Sequence, residues 1–224
     1  MTSPADPAIH RFGTSNEPLV VIDNFSTDPA ALVASAARQR FQPMGIHYPG
    51  IRSPADPAYL GEQADLLETV LRTVFGLARG ADLVECAYSL VTTPPDRLTP
   101  IQRIPHFDST DPGRLALLHY LCGEDGGGTA FYRHRETGFE TITSARLKPY
   151  DTALKAAPSA LPETGYISGS TALFEQTGAV NARFNRLVIY RGYRLHSGTI
   201  PNDLPFDARP ETGRLTINTF LQAR

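Results

Sequence analysis

The chain has 224 residues, 21 of them Lys or Arg and 23 Asp or Glu, for a formal net charge of -2. The charges are interspersed without blocks, so no field is present that would gather nucleic acid or an anionic membrane, and the expected partners are a small molecule or a protein segment, with homodimerisation compatible. Cys86 and Cys122 are far apart, and no apolar run reaches the roughly 18 residues of a membrane span, which excludes a disulfide framework, a zinc ribbon and a spanning helix and fits a soluble cytoplasmic protein.

Residues 1–16 read as a flexible polar tail, and 17–224 as a single domain. Pro18 to Phe25 is a short β-branched run bounded by turn formers, hence a buried strand. Pro29 suits a first helical position, with Thr27 or Asp28 as cap and an Ala-rich helix over 30–40. The segment 41–53, carrying Pro43, Pro49 and Gly50, reads as loop or short edge strand. Helical spacing returns over Pro57 to Arg79 through Leu60, Ala64, Leu67, Val70, Leu71 and Val74, with Gly76 and Gly80 at its end.

Strand patterns then follow at Leu83–Thr92, Ile101–Phe107, Arg114–Leu121, Thr129–Arg133, Asn185–Arg191 and Gly213–Leu221. Residues 134–183 read as an irregular insertion with a short helix near 150–157. Helices first and strands after predict an α+β architecture in which N-terminal helices buttress an antiparallel sheet or barrel.

The chemistry centres on His106-Phe107-Asp108. On a strand, i and i+2 share a face, so His106 and Asp108 can grip one metal while Phe107 packs behind. With 6 His in the chain, chance yields His-x-Asp in about a third of such sequences, so the pair alone decides little. His134-Arg135-Glu136 offers the same spacing, but its surroundings read as a solvated, salt-bridged turn. His196, in Arg-Leu-His-Ser-Gly, is either the third ligand or a core histidine at a strand end. Two His and one carboxylate with open positions suit non-haem iron(II). Near the C-terminus, Arg214, Thr216 and Asn218 share one face of an alternating strand, and a buried Arg214 needs either an anionic ligand or a protein carboxylate.

Taken with their flanks, these motifs resemble the iron(II)- and 2-oxoglutarate-dependent oxygenases, prolyl-hydroxylase-like branch. LLHYLCGEDGGGTAFY resembles that branch's strand, loop and strand after His-x-Asp; FNRLVIYRGYRLHSG the run to its distal His; GRLTINTF its Arg-bearing strand; and PLVVIDNFSTDPAAL its first strand and helix. The likeness covers roughly 83–133 and 184–222. It implies a double-stranded β-helix, a jelly-roll or cupin-like barrel, in which His106, Asp108 and His196 bind Fe(II). Arg214 would hold the distal carboxylate of 2-oxoglutarate, with Thr216 and Tyr120 as further donors.

The same likeness implies O2 as co-substrate, release of succinate and CO2, and hydroxylation rather than halogenation, since Asp108 fills the position a halide would need. The substrate would be an amino acid, a peptidyl group or another small molecule. Two features depart from the branch. The step from His196 to Arg214 is long, which leaves Arg209 as a rival anchor, and Thr93 and Gln102 stand where tyrosines are usual. Two other functions compete: a cupin-like metal enzyme that does not use 2-oxoglutarate, and a non-catalytic barrel serving as a binding module. The loops at 48–52, 134–183 and 197–212 are candidates for lining the site.

Overall fold

The computed structural model describes residues 4–157 and 164–224. After a first strand β1 (Ala8–Arg11) the chain runs through β2 (Pro18–Ile22), α1 (Pro29–Ala37), β3 (Gln42–Pro43), β4 (Gly50–Pro54), α2 (Ala64–Thr73) and β5 (Ala81–Val91). It continues through β6 (Arg114–Tyr120), β7 (Gly128–His134), α3 (Ser144–Ala156), β8 (Phe174–Asn181), β9 (Arg186–Arg191), β10 (His196–Gly198) and β11 (Leu215–Ala223). Eight strands form one antiparallel sheet in the order β1-β2-β9-β6-β11-β5-β4-β3, and three form a second, β10-β7-β8. This is the expected α+β jelly roll. No helix among the described residues is long and apolar enough to cross a membrane.

Strand alternation divides the large sheet into two faces. Val20, Ile22, Leu115, Leu117, Leu187, Ile189, Leu215 and Ile217 pack outward with Ala36 of α1 and Leu67 and Val70 of α2. Leu19, Ala116, Tyr120, Val188 and Tyr190 point inward and meet Phe131 and Val180 of the small sheet. The helices therefore seal one face, and the other is left to form a cleft between the sheets. Asp28 caps α1 by accepting a hydrogen bond from the Ala31 N–H at 2.9 Å.

Four sequence expectations are corrected. The 1–16 segment contains β1, which pairs with β2, and its Thr14 and Ser15 N–H groups are held by Glu140. The helix expected over 57–79 begins as a 3-10 turn, Pro57–Gln63, because Pro57 and Gly61 are poor α-helix residues, and α2 ends at Thr73. The stretch 134–183 holds α3 and β8, and α3 continues through Pro149 instead of starting after it.

Ile101–Phe107 is not a strand. Pro100–Arg103 is a 3-10 turn closed by a reciprocal capping box between Thr99 and Gln102, and His106 joins the sheet through a single bridge to His196.

Candidate metal centre

Backbone pairing sets the spacing of the three candidate ligands, His106, Asp108 and His196. The His106 N–H donates to the His196 carbonyl at 2.8 Å and the His196 N–H returns the bond at 2.8 Å, while the Asp108 N–H donates to the Gly192 carbonyl at 2.7 Å. His106 and Asp108 thus share a face although no strand carries them. Gly192 is needed for the approach, since a Cβ there would lie 3.2 Å from the Asp108 Cβ and 3.4 Å from its Oδ2.

The three side chains lie close together. His196 Nε2 stands 3.6 Å from Asp108 Oδ2, and His106 Nε2 stands 3.8 Å from Asp108 Oδ1. One ligand atom from each of the three lies within 4.8 Å of the other two. Cis ligands at roughly 2.1 Å from one ion are about 3 Å apart, so a small inward movement completes a facial set.

The donor chemistry fits a divalent ion. His196 donates its Nδ1–H to the Arg194 carbonyl at 2.8 Å, which fixes the tautomer and leaves Nε2 bare. Burial lowers the His196 pKa to about 4, so the imidazole is neutral and ready to ligate. Burial likewise pushes the Asp108 carboxyl up to about 6, against the pull of His106 and Arg52. A cation between the three would relieve that cost. Tyr190 and Phe131 wall the His196 ring with centroids at 4.8 and 6.4 Å, while the His106 side chain is 51 % exposed and marks the open side.

Arg214 immediately precedes β11 and is buried. Its guanidinium donates from Nε to the Gly126 carbonyl at 2.6 Å and from Nη2 to the Gly128 carbonyl at 3.0 Å, and no carboxylate pairs with it among the described residues. Between those carbonyls Gly127 has φ +85°, and a Cβ on it would fall 1.8 Å from the Thr199 carbonyl oxygen, so only glycine fits this turn. Arg209 is exposed and bonds Asp207 at 2.6 Å.

Thr216 faces the cleft but donates its hydroxyl to Asn218 Oδ1 at 2.9 Å. The Tyr120 hydroxyl is 2.6 Å from Thr129 Oγ1, with its ring 5.8 Å from the Arg214 guanidinium. Gln102 holds the Ile46 and Tyr48 carbonyls, and the Thr93 carbonyl accepts from Tyr166.

The rival His134 is a core histidine, contrary to the solvated turn expected for it. It is fully buried, bonds Thr137 through Nδ1 at 3.0 Å and packs on Tyr150 and Phe174. The salt bridges expected there belong to Arg133, which pairs with Glu140 and Glu175.

Other polar groups facing the cleft carry no sequence motif. Tyr88 and Leu90 belong to the helix-side core, so Glu85 and Ser89 of β5 face inward beside Arg52 of β4. The Tyr48 hydroxyl, the Ser89 hydroxyl and the Arg52 Nε are buried and have no hydrogen-bond partner among the described residues. Alternation along β5 was the one signal for Glu85 and Ser89; nothing in the 41–53 loop pattern distinguished Tyr48 or Arg52 beyond its place near the site.

A family model described as a family of unknown function, DUF6445, matches residues 4–221. No curated protein matches the chain in sequence. Among solved structures the chain is similar to the non-haem α-ketoglutarate-dependent carbocyclase SnoK from nogalamycin biosynthesis, with a TM-score of 0.50 and 12% identity over 92% of this chain and 79% of that one. It is also similar to a Pseudomonas putida prolyl-4-hydroxylase, with a TM-score of 0.48 and 14% identity over 94% and 95%. Streptomyces hygroscopicus HygX, with nickel and 2-oxoglutarate bound, follows at 0.46 and 11% over 91% and 82%. At these identities the likeness is one of fold, and it is the SnoK fold that this chain shares.

Proposed function

This chain belongs to DUF6445, a family of unknown function, and from its site we propose that it is a non-haem iron(II)- and 2-oxoglutarate-dependent oxygenase. Its substrate would be an amino acid, a peptidyl group or another small molecule, oxidised by hydroxylation with release of succinate and CO2. The observation that carries this reading is that two imidazoles and a carboxylate converge on a point while the inward face of the large sheet also carries Arg214, a buried guanidinium with no carboxylate partner among the described residues. Either half alone has a bland explanation; together they match a metal and a dicarboxylate.

His106, Asp108 and His196 would hold iron(II) on one face, which when bound supplies dioxygen activation coupled to oxidative decarboxylation of 2-oxoglutarate. The remaining work falls to the chain itself. Arg214 neutralises the distal carboxylate of the co-substrate and, being fastened to two carbonyls, orients it without reorganising. Asp108 would supply the third protein ligand, and burial raises its carboxyl to about 6, so it is mostly ionised at neutral pH. Tyr190 and Phe131 keep water from the His196 side, and substrate approaches past the half-exposed His106. Two free thiols, Cys86 and Cys122, suit a reducing cytoplasm.

Anaerobic addition of iron(II) and 2-oxoglutarate should produce a weak visible charge-transfer band, and admission of air should release succinate. Arg214→Ala should weaken 2-oxoglutarate binding about 100-fold, as expected for a buried charge-assisted pair, and Arg209→Ala should leave it within about twofold. A wild-type protein without the band, or Arg214→Ala with wild-type affinity, would defeat the reading.

A further inference from the structure

We propose that Arg52 and Glu85 form a recognition pair beside the metal centre, so that the substrate is an α-amino acid bound with its carboxylate on Arg52 and its ammonium on Glu85. The proposal rests on the oxygenase reading and names the substrate class of that site. Arg52 lies opposite Ser89 in the β4–β5 ladder, and Glu85 lies two rows further along the same inward face, past Ala87 and opposite Phe220 of β11. The Arg52 guanidinium sits over the Tyr48 ring at 4.3 Å, which fixes its plane.

The pair is a loose one. Arg52 Nη1 and Glu85 Oε1 form a salt bridge at 3.6 Å without a hydrogen bond, whereas a buried Arg–carboxylate fork closes to about 2.8 Å. Arg52 Nε is buried and unpartnered among the described residues. The Arg52 side chain is 16 % exposed and that of Glu85 40 % exposed, so an anion reaching the first passes the second. Both side chains lie on the inward face of the large sheet, the face that also carries Thr216 and Asn218.

Counting charges identifies the ligand. Arg52 lies in one row with Ser89 and Thr216, and Arg214 stands two positions before Thr216, so the same inward face carries two guanidinium groups. The co-substrate has two carboxylates, of which the metal neutralises one and Arg214 the other. Arg52 is left for a second anionic molecule. A plain carboxylic acid on Arg52 would be repelled by Glu85 close by, and a plain amine on Glu85 would be repelled by Arg52. A molecule carrying both charged groups on one carbon satisfies both, and that is the α-amino acid zwitterion.

The test uses the protein loaded anaerobically with iron(II) and 2-oxoglutarate, with the twenty protein amino acids as individual probes, read by perturbation of the charge-transfer band and by calorimetry. At least one amino acid should bind, and its amide and its N-acetyl derivative should each bind at least about tenfold more weakly. Arg52→Gln should weaken the free acid about tenfold and not its amide; Glu85→Gln should weaken the parent and not the N-acetyl form. Each variant must still form the band with 2-oxoglutarate, which certifies its fold, and Arg52→Lys should restore part of the loss. Should no amino acid bind the wild type, or both neutral variants bind as it does, the proposal is overturned while the band, if present, keeps the oxygenase reading intact. A missing band removes both.

Discussion

Asp108 and Glu140 are two carboxylates of one barrel, both outside its strands, and their surroundings treat them in opposite ways. Glu140 accepts from the Thr14 and Ser15 N–H groups at 2.9 and 2.8 Å and from Arg133 at 2.9 and 2.6 Å. Although desolvation pushes the other way, these donors hold its pKa down to about 2. Asp108 has no such donor on its carboxylate among the described residues, faces two bare imidazole nitrogens, and rises to about 6. Residue type does not separate scaffold from site here; hydrogen-bond satisfaction does, because an ionised group with all its bonds made has nothing left to offer a ligand.

The most direct way to break the contrast is to remove each carboxylate. Asp108→Ala should lower iron(II) affinity at least about 100-fold in a calorimetric titration, with unfolding free energy near wild type. Glu140→Gln should do the reverse, costing about 2 kcal/mol in urea unfolding with metal affinity within about threefold. Metal retained by Asp108→Ala would collapse the distinction.

A pH titration sharpens it next. A metal must displace the Asp108 proton, so affinity should be full above pH 6 and fall about tenfold per pH unit below it, steepening near pH 4 where His196 also protonates. Glu140 acts in a different window. Its folded pKa is depressed, so its contribution to stability is present above about 4.5 and is lost as pH falls through about 2. Metal loss between pH 6 and 4 without unfolding is the expected signature.

The smallest effect concerns Gly192. Gly192→Ala places a methyl 3.2 Å from Asp108 Cβ and should weaken metal binding about threefold, whereas Gly61→Ala, with nothing within 4 Å, should leave it unchanged.

Much of this centre was legible because its residues obey short-range rules. Alternation along β11 put Thr216 and Asn218 on the cleft side and Leu215 and Ile217 on the helix side, as observed. His106 and Asp108 met for a reason other than the one expected: an apolar Ile101–Phe107 run looked like a strand, yet the Thr99–Gln102 cap won locally, and long-range bridges to His196 and Gly192 restored the shared face. Pairings with partners 90 residues away leave no local pattern. The same holds for β8, whose Glu175, Thr177 and Gly178 show little apolar alternation and which is held by pairing with β7. Arg52 was legible only as part of a 48–52 segment near the site, since its inward face comes from the pairing of β4 with β5.

The Gly126 and Gly128 carbonyls that hold Arg214 have one more effect. A surface arginine swings through several ångströms and accommodates diacids of different length. This one is tethered on the Nε edge, with only its outer edge left to receive a carboxylate. On the proposed reading His106, Asp108 and His196 are set by main-chain bonds as well, so both groups that would receive the diacid are fixed to backbone, and a diacid one methylene shorter or longer than 2-oxoglutarate should bind more weakly.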